Sequence, residues 1–274
     1  MTTSAVYGEV ERTEWLTPGM VRVVLGGAGL DDFEPTAWTD QYVNALFVPD
    51  GAGYDVPFDP AEARNGPPEH RPVGRRYTVR AWDPEARHLT IDFVAHGDSG
   101  MAGPWAQRAR PGDRLQVVGP SGGYRPDPDA PWYLMAGDES AIPAIAASLE
   151  QVPAGRDCFV FLVVDDERHE LPLDTPGELR CTWLHRLGVD APAELLVGAV
   201  AAATFPAGHP DVFVHGEAGE IRAVRRHLLA DRGIERDQTS ISPYWRRRHT
   251  DEAWREVKAE WLAEVAQDVC PRTT

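Results

Sequence analysis

A chain of 274 residues with 42% hydrophobic and 26% charged residues can fill one large core or two ordinary ones, which excludes wholesale disorder. Its 43 acidic residues against 27 basic ones give a net charge of −16, which repels phosphate backbones and anionic membranes, so no nucleic-acid partner is expected. Met1 to Tyr7 hold no basic segment followed by an apolar run, and no later stretch reaches spanning length, so a cytoplasmic protein without membrane insertion is expected.

From Val6 to about Gly119 the chain runs in short alternating segments: Met20–Leu25, Tyr42–Phe47, Tyr77–Trp82, Leu89–Val94 and Leu115–Val118. Period-two alternation between Gly, Pro and Asp predicts antiparallel strands, six or so, and hence a small barrel. The Gly/Pro-rich stretch Pro49–Gly74 is long for a connecting loop. In Gly100–Ala109, Gly103 suits an N-cap and Pro104 a first helical position, so a short helix interrupts the strands.

The Pro/Asp-rich run Tyr124–Pro131 reads as a linker, and the boundary is set at residues 1–128 and 129–274. Beyond it strands and helices alternate: Trp132–Ala136, a helix over Ala141–Glu150, Cys158–Val164, Arg180–Leu184, a helix over Pro192–Ala203, Asp211–His215 and a helix over Ala218–Asp231. That order predicts βαβ units around a parallel sheet. The tail helix Asp251–Asp268 sets Trp254, Val257, Trp261, Leu262 and Val265 on one stripe, which should dock on the body or on a partner chain.

Several motifs lead nowhere. Gly119-Pro120-Ser121-Gly122-Gly123 matches a nucleophile elbow in letters, yet a linker follows it where a helix is needed. The nine histidines lack paired spacing, so no metal site is expected, and Cys158, Cys181 and Cys270 are too scattered for disulfides or zinc. Gly137 lies where a strand turns into a helix whose N-terminus can face a pyrophosphate or nicotinamide. Arg75-Arg76-Tyr77-Thr78 offers a cation, a ring and a hydroxyl on one strand, a set that flavin binding needs, although in isolation the tetrapeptide is also an ordinary strand with polar residues outside.

Arg75-Arg76-Tyr77-Thr78-Val79-Arg80 resembles the R-x-Y-T-V-R signature of the siderophore-interacting protein family, flavoproteins of the ferredoxin-reductase-like group. Further likenesses follow in the family's order: His96-Gly97-Asp98 with Gly100–Ala106, Pro111–Leu115, Gly119-Pro120, Ala136–Ile145, Gly216–Ala218, Arg225–Leu228 and Tyr244-Trp245-Arg246. The resemblance implies a six-stranded antiparallel Greek-key β-barrel that binds FAD. A Rossmann-like parallel α/β domain for NADH or NADPH would follow, ending in a C-terminal helix. The implied activity is reduction of a ferric siderophore.

By position, the resemblance implies that Arg75 meets FAD phosphate, Tyr77 stacks on the flavin and Thr78 contacts N5. Asp92, Val94 and His96 would line the ribityl and adenylate side. Gly100, Ala102, Gly103 and Trp105 belong to the segment offering backbone N–H groups to the pyrophosphate, and Ser140 and Trp245 join the cofactor contacts. Gly137, Asp138, Glu139 and Glu217 would surround the nucleotide.

The chain departs from the family pattern at Met101-Ala102-Gly103, where Pro-Ala-Ser is usual, and at Ser140 (threonine), Asn44 (lysine) and Arg248 (glycine). Asp165 and Asp166 follow the strand Cys158–Val164, where a carboxylate favours NADH by accepting a ribose 2′-hydroxyl; two acids in a loop without a ligand is the other reading. Arg246, Arg247 and Arg248 form a basic run that would steer an anionic ferric siderophore, or else a solvated turn. An FAD enzyme acting on an organic small molecule and a non-catalytic binding module stay open as alternatives, and the sequence leaves the oligomeric state open.

Overall fold

The computed structural model describes residues 5–95, 97 and 100–268. The chain divides into two compact units, Met1–Arg125 and Pro126–Thr274.

In the first unit β1 (Tyr7–Thr17), β2 (Met20–Gly26), β3 (Tyr42–Phe47), β4 (Val73–Asp83), β5 (His88–Val94) and β6 (Arg114–Ser121) close a barrel in the order β1-β2-β5-β4-β3-β6. Every pairing is antiparallel, and the non-sequential neighbours β2–β5 and β3–β6 make it a Greek key. Alternate residues turn inward: Leu89, Ile91 and Phe93 of β5 join Val43, Ala45 and Phe47 of β3 and Leu115 and Val117 of β6 in one core. β1 has no comparable signature, because Glu11 to Trp15 are exposed in succession.

The stretch Pro49–Gly74 contains α1 (Pro60–Arg64) and is strapped to the outside of the barrel. Gln116, 1% exposed between two core residues of β6, accepts from the backbone N–H of Phe58 and donates to its carbonyl, both at 2.9 Å. The interrupting helix α2 spans Ala102–Arg108 with Met101 at its N-cap, so the expected Gly103 cap and Pro104 start lie two residues too late. Proline is tolerated at the third position because the first helical bond, Trp105 N–H to Met101 C=O, forms only after it.

In the second unit β7 (Trp132–Asp138), β8 (Asp157–Val164), β9 (Glu178–His185), β10 (Asp211–Glu217) and β11 (Thr239–Trp245) form a parallel sheet in the order β11-β10-β7-β8-β9. Numbered by appearance that is 3-2-1-4-5, with the switch between β7 and β10. α3 (Ile142–Leu149), α4 (Leu195–Ala202) and α5 (Ala218–Arg226) connect the strands. β7 and β8 are buried almost throughout, which explains their unbroken apolar sequences. The expected helix at Pro192 opens with a 3₁₀ turn, and the one ending at Asp231 passes into a π turn over His227–Asp231.

α6 (Asp251–Gln267) docks on the body through Trp254, Trp261 and Val265, which cluster with Ala218 while Val257 packs beside them. Leu262 departs from the expected stripe and is 43% exposed. At 3.6 residues per turn it lies about 80° from Trp254, at the stripe's edge, whereas Trp261 lies about 20° away.

Candidate functional site

On the barrel, β4 pairs with β3 through residues 73–78 and with β5 only from Val79 onward. The R-x-Y-T signature therefore sits where two strands part. Arg75 and Tyr77 share the face of β4 that registers with core residues Ala45 and Val43, while Thr78, 8% exposed, occupies the opposite face with Arg76. The half-buried Tyr77 ring lies 4.4 Å from that of Phe93, which in turn lies 5.8 Å from Trp105 of α2. Arg75 Nη1 donates to the Gly74 carbonyl at 3.0 Å, and Arg76 stands over the Tyr42 ring at 5.5 Å.

Among the described residues no side chain caps α2. Gly100, at φ +82°, has open space where a side chain would stand, and the Ala102 methyl is buried in the core, so Ala102 can offer a ligand only its backbone N–H. Gly103 is half-buried, and its missing Cβ would stand 3.4 Å from the Val94 carbonyl. Asp92 is held by Arg22, with Nε to Oδ1 at 2.7 Å and Nη2 to Oδ2 at 2.8 Å, so its carboxylate shapes the site through a cation that the sequence did not single out. Val94, next on that face, is half-buried, and His96 lies outside the described residues.

In the second unit Gly137, Asp138, Glu139 and Glu217 stand at the carboxyl ends of β7 and β10, beside the switch point, while Asp165 stands at the end of β8. Gly137 is required there, since a Cβ would stand 2.2 Å from the His215 carbonyl. Asp138, 2% exposed, accepts from the backbone N–H groups of Ser140 (2.9 Å) and Glu217 (2.8 Å), the Ser140 hydroxyl, and the Trp245 indole at 2.8 Å. Glu217 caps α5 through the N–H groups of Gly219 and Glu220 and also accepts from Arg247 N–H at 3.0 Å. These carboxylates organise the loops around the turn after Gly137 and hold the Trp245 ring beside it.

Three charged residues that the sequence singled out have partners within the second unit. The Arg247 guanidinium pairs with the buried Glu220 at 2.6 Å. Arg246 stands over Trp254 at 5.7 Å. Asp165 pairs with Arg186 at 3.3 Å, and Arg186 also donates to Glu139 at 2.5 Å. Sequence offered no signal for Arg186 or Glu220, whose partners are distant along the chain. Burial pushes the Cys158 thiol up to about 11 and Cys181 up to about 12, which leaves neither as a nucleophile.

Residues 9–124 match the family model described as the siderophore-interacting FAD-binding domain, and residues 130–248 match the model of the siderophore-interacting protein itself. The chain belongs to the siderophore-interacting protein family. Among relatives, the ferric vibriobactin reductase of Vibrio cholerae is 35% identical, covering 90% of this chain and 91% of its own. An NADPH-dependent ferric-chelate reductase of Escherichia coli is 38% identical over 52% of this chain and 54% of its own. A solved siderophore utilization protein from T. fusca superposes with a TM-score of 0.77 at 36% identity, covering 89% of this chain and 94% of that one.

The barrel residues fit the FAD that the family implies: a half-buried tyrosine ring, a cation two residues before it and a helix start that no side chain caps among the described residues lie where β4 and β5 part. The family's glycine after Tyr-Trp-Arg also finds a reason, because Arg248 stands there at φ +64°. A cavity of about 260 Å³ within the strap itself, between Tyr54, Phe58, Glu62 and His70, includes none of the expected site residues.

Proposed function

We propose that this siderophore-interacting protein passes electrons from NADH or NADPH through FAD to Fe(III) held by a siderophore, releasing the metal as Fe(II). Bound FAD supplies the conversion of a two-electron hydride into the single electrons that iron accepts. The observation that carries the reading is the placement of Arg75, Tyr77 and Thr78 where β4 leaves β5, beside the start of α2.

In this reading Arg75 holds a phosphate by a charge-assisted bond, Tyr77 stacks on the flavin ring and Thr78 supplies the contact to N5. Backbone N–H groups of Ala102 and Gly103 receive the pyrophosphate. In the second unit the turn after Gly137 receives the nicotinamide nucleotide, with Asp138 fixing Ser140 and Trp245 around it. Iron changes oxidation state without proton transfer from protein, so no acid or base need stand beside it. Arg248 is the member of the basic run left to meet an anionic chelate, since Arg246 and Arg247 are engaged within the unit. The names of the two reductase relatives support the assignment, and a cytoplasmic location suits the supply of reduced nucleotide.

The test is anaerobic stopped-flow absorbance in the flavin's visible band, mixing the FAD-loaded protein with NADH or NADPH and then with a ferric siderophore. Bleaching followed by chelate-dependent recovery is expected. A flavin that stays oxidised with both nucleotides overturns the assignment.

A further inference from the structure

A parallel sheet of order 3-2-1-4-5 receives a dinucleotide at the carboxyl ends of its strands, with the adenosine ribose at the end of the second strand, here β8. Asp165 and Asp166 occupy that end, and bare carboxylates there would repel a 2′-phosphate. Neither is bare. Asp166 caps the following turn through Arg168 N–H at 3.0 Å and pairs with the Arg168 guanidinium at 2.6 Å and with His169 at 2.7 Å. Asp165 stands 3.3 Å from Nη1 of Arg186.

Arg186 follows β9 directly, its own N–H bonded to the Val164 carbonyl at 3.0 Å. Its side chain reaches back over the end of β8: Nη2 donates to Glu139 Oε2 at 2.5 Å and to the Val163 carbonyl at 2.9 Å. One guanidinium thus joins the ends of three strands, between the turn after β7 and the acids after β8. The Nη2 end is fixed by two bonds, while among the described residues Nη1 has only the longer contact to Asp165, whose side chain is 43% exposed. Nε is buried with no hydrogen-bond partner among the described residues. The fork is held in place with donor capacity left over.

We propose that Arg186 recognises the 2′-phosphate of NADPH and makes NADPH the preferred donor, the phosphate displacing Asp165 from Nη1. This rests on the reading of the second unit as the nicotinamide-nucleotide domain. It reverses the NADH preference that Asp165 suggests in isolation. A charge-assisted bond from a preorganised fork changes affinity by about ten-fold or more.

Binding of 2′,5′-ADP and of 5′-AMP is measured calorimetrically on the full chain loaded with FAD, so that the flavin's own adenylate site is filled. Wild type should bind 2′,5′-ADP at least about ten-fold tighter than 5′-AMP, Arg186→Gln should bring the ratio to within about three-fold of unity with 5′-AMP little changed, and Asp165→Asn should raise the ratio. A wild-type ratio near or below unity, equal weakening of both ligands in Arg186→Gln, or no binding of either analogue overturns the proposal. Should Arg186→Gln fail to fold, Asp165→Asn decides alone, and an unchanged or lower ratio overturns it. Flavin reduction by the two nucleotides is followed in parallel. Failure of both to bleach the flavin refutes the reductase assignment, while the analogue ratio still judges Arg186.

Discussion

Arg248 adopts φ +64°, the left-handed region that costs a residue with a Cβ about 1 kcal/mol or more, in a turn whose partners Arg247 and Glu217 leave it little freedom to relax. Arg248→Gly should therefore stabilise the second unit by about 0.5–1 kcal/mol, raising its calorimetric Tm by roughly 2–4 °C, and an unchanged or lower Tm counts against strain there. Glu220 makes a second prediction. Burial, then the neighbouring Asp138 and Glu217, push its carboxyl up to about 7 against the pull of Arg247. A glutamate in the unfolded chain titrates near pH ~4.3, so between the two values the folded chain binds the extra proton. The stability this contributes is complete below about pH 4.3 and is lost as pH rises through about 7. Burial holds His215 down at about 3, with the opposite slope, but that slope is common to wild type and variant. Glu220→Gln should thus lose less Tm than wild type between about pH 5 and about pH 8. Parallel Tm curves would refute the assignment.

Gln116 ties the strap between β3 and β4 to the barrel by its two bonds to the Phe58 backbone, and within the strap Tyr54 Oη donates to the His70 carbonyl at 2.6 Å. Gln116→Ala leaves a buried N–H and a buried carbonyl without partners, a cost of about 2–4 kcal/mol that opening the strap relieves. Limited proteolysis with mass-spectrometric mapping should find new cleavage within residues 49–72 while the barrel strands stay protected; an unchanged pattern would show that the strap is held elsewhere. None of this could be read beforehand, because an outward glutamine in a strand looks the same whether water or a loop covers it. Strands with strict alternation were legible, as was the passage to a parallel sheet, since burial on one face or two writes itself into the apolar period. β1 was not, being polar along Glu11–Trp15, nor β11, whose Pro243 interrupts a half-buried run. At the site, Arg75, Tyr77 and Thr78 were legible by chemistry because one strand carries all three. The ties of Asp138 to Glu217 and Trp245 span 79 and 107 residues and leave no spacing to read.

The whole molecule carries a net charge of −16, which sets its long-range field whatever a few arginines do nearby. Arg75, Arg76 and Arg80 form a basic stretch along β4, Arg22 being paired with Asp92, but their attraction fades within a Debye length, about 10 Å at 0.1 M salt. At low ionic strength the field reaches about 30 Å, far enough for the summed acidic charge to repel an anionic chelate before it meets that patch. The second half-reaction isolates this effect: with the flavin photoreduced beforehand, no anionic nucleotide enters the measurement. Reoxidation by an anionic ferric siderophore should quicken by about two- to five-fold as ionic strength rises from about 10 to about 200 mM, while a neutral ferric chelate shows a flat profile. A rate that falls with salt for the anionic chelate alone would show that local arginines, and not the summed acidic charge, govern the approach.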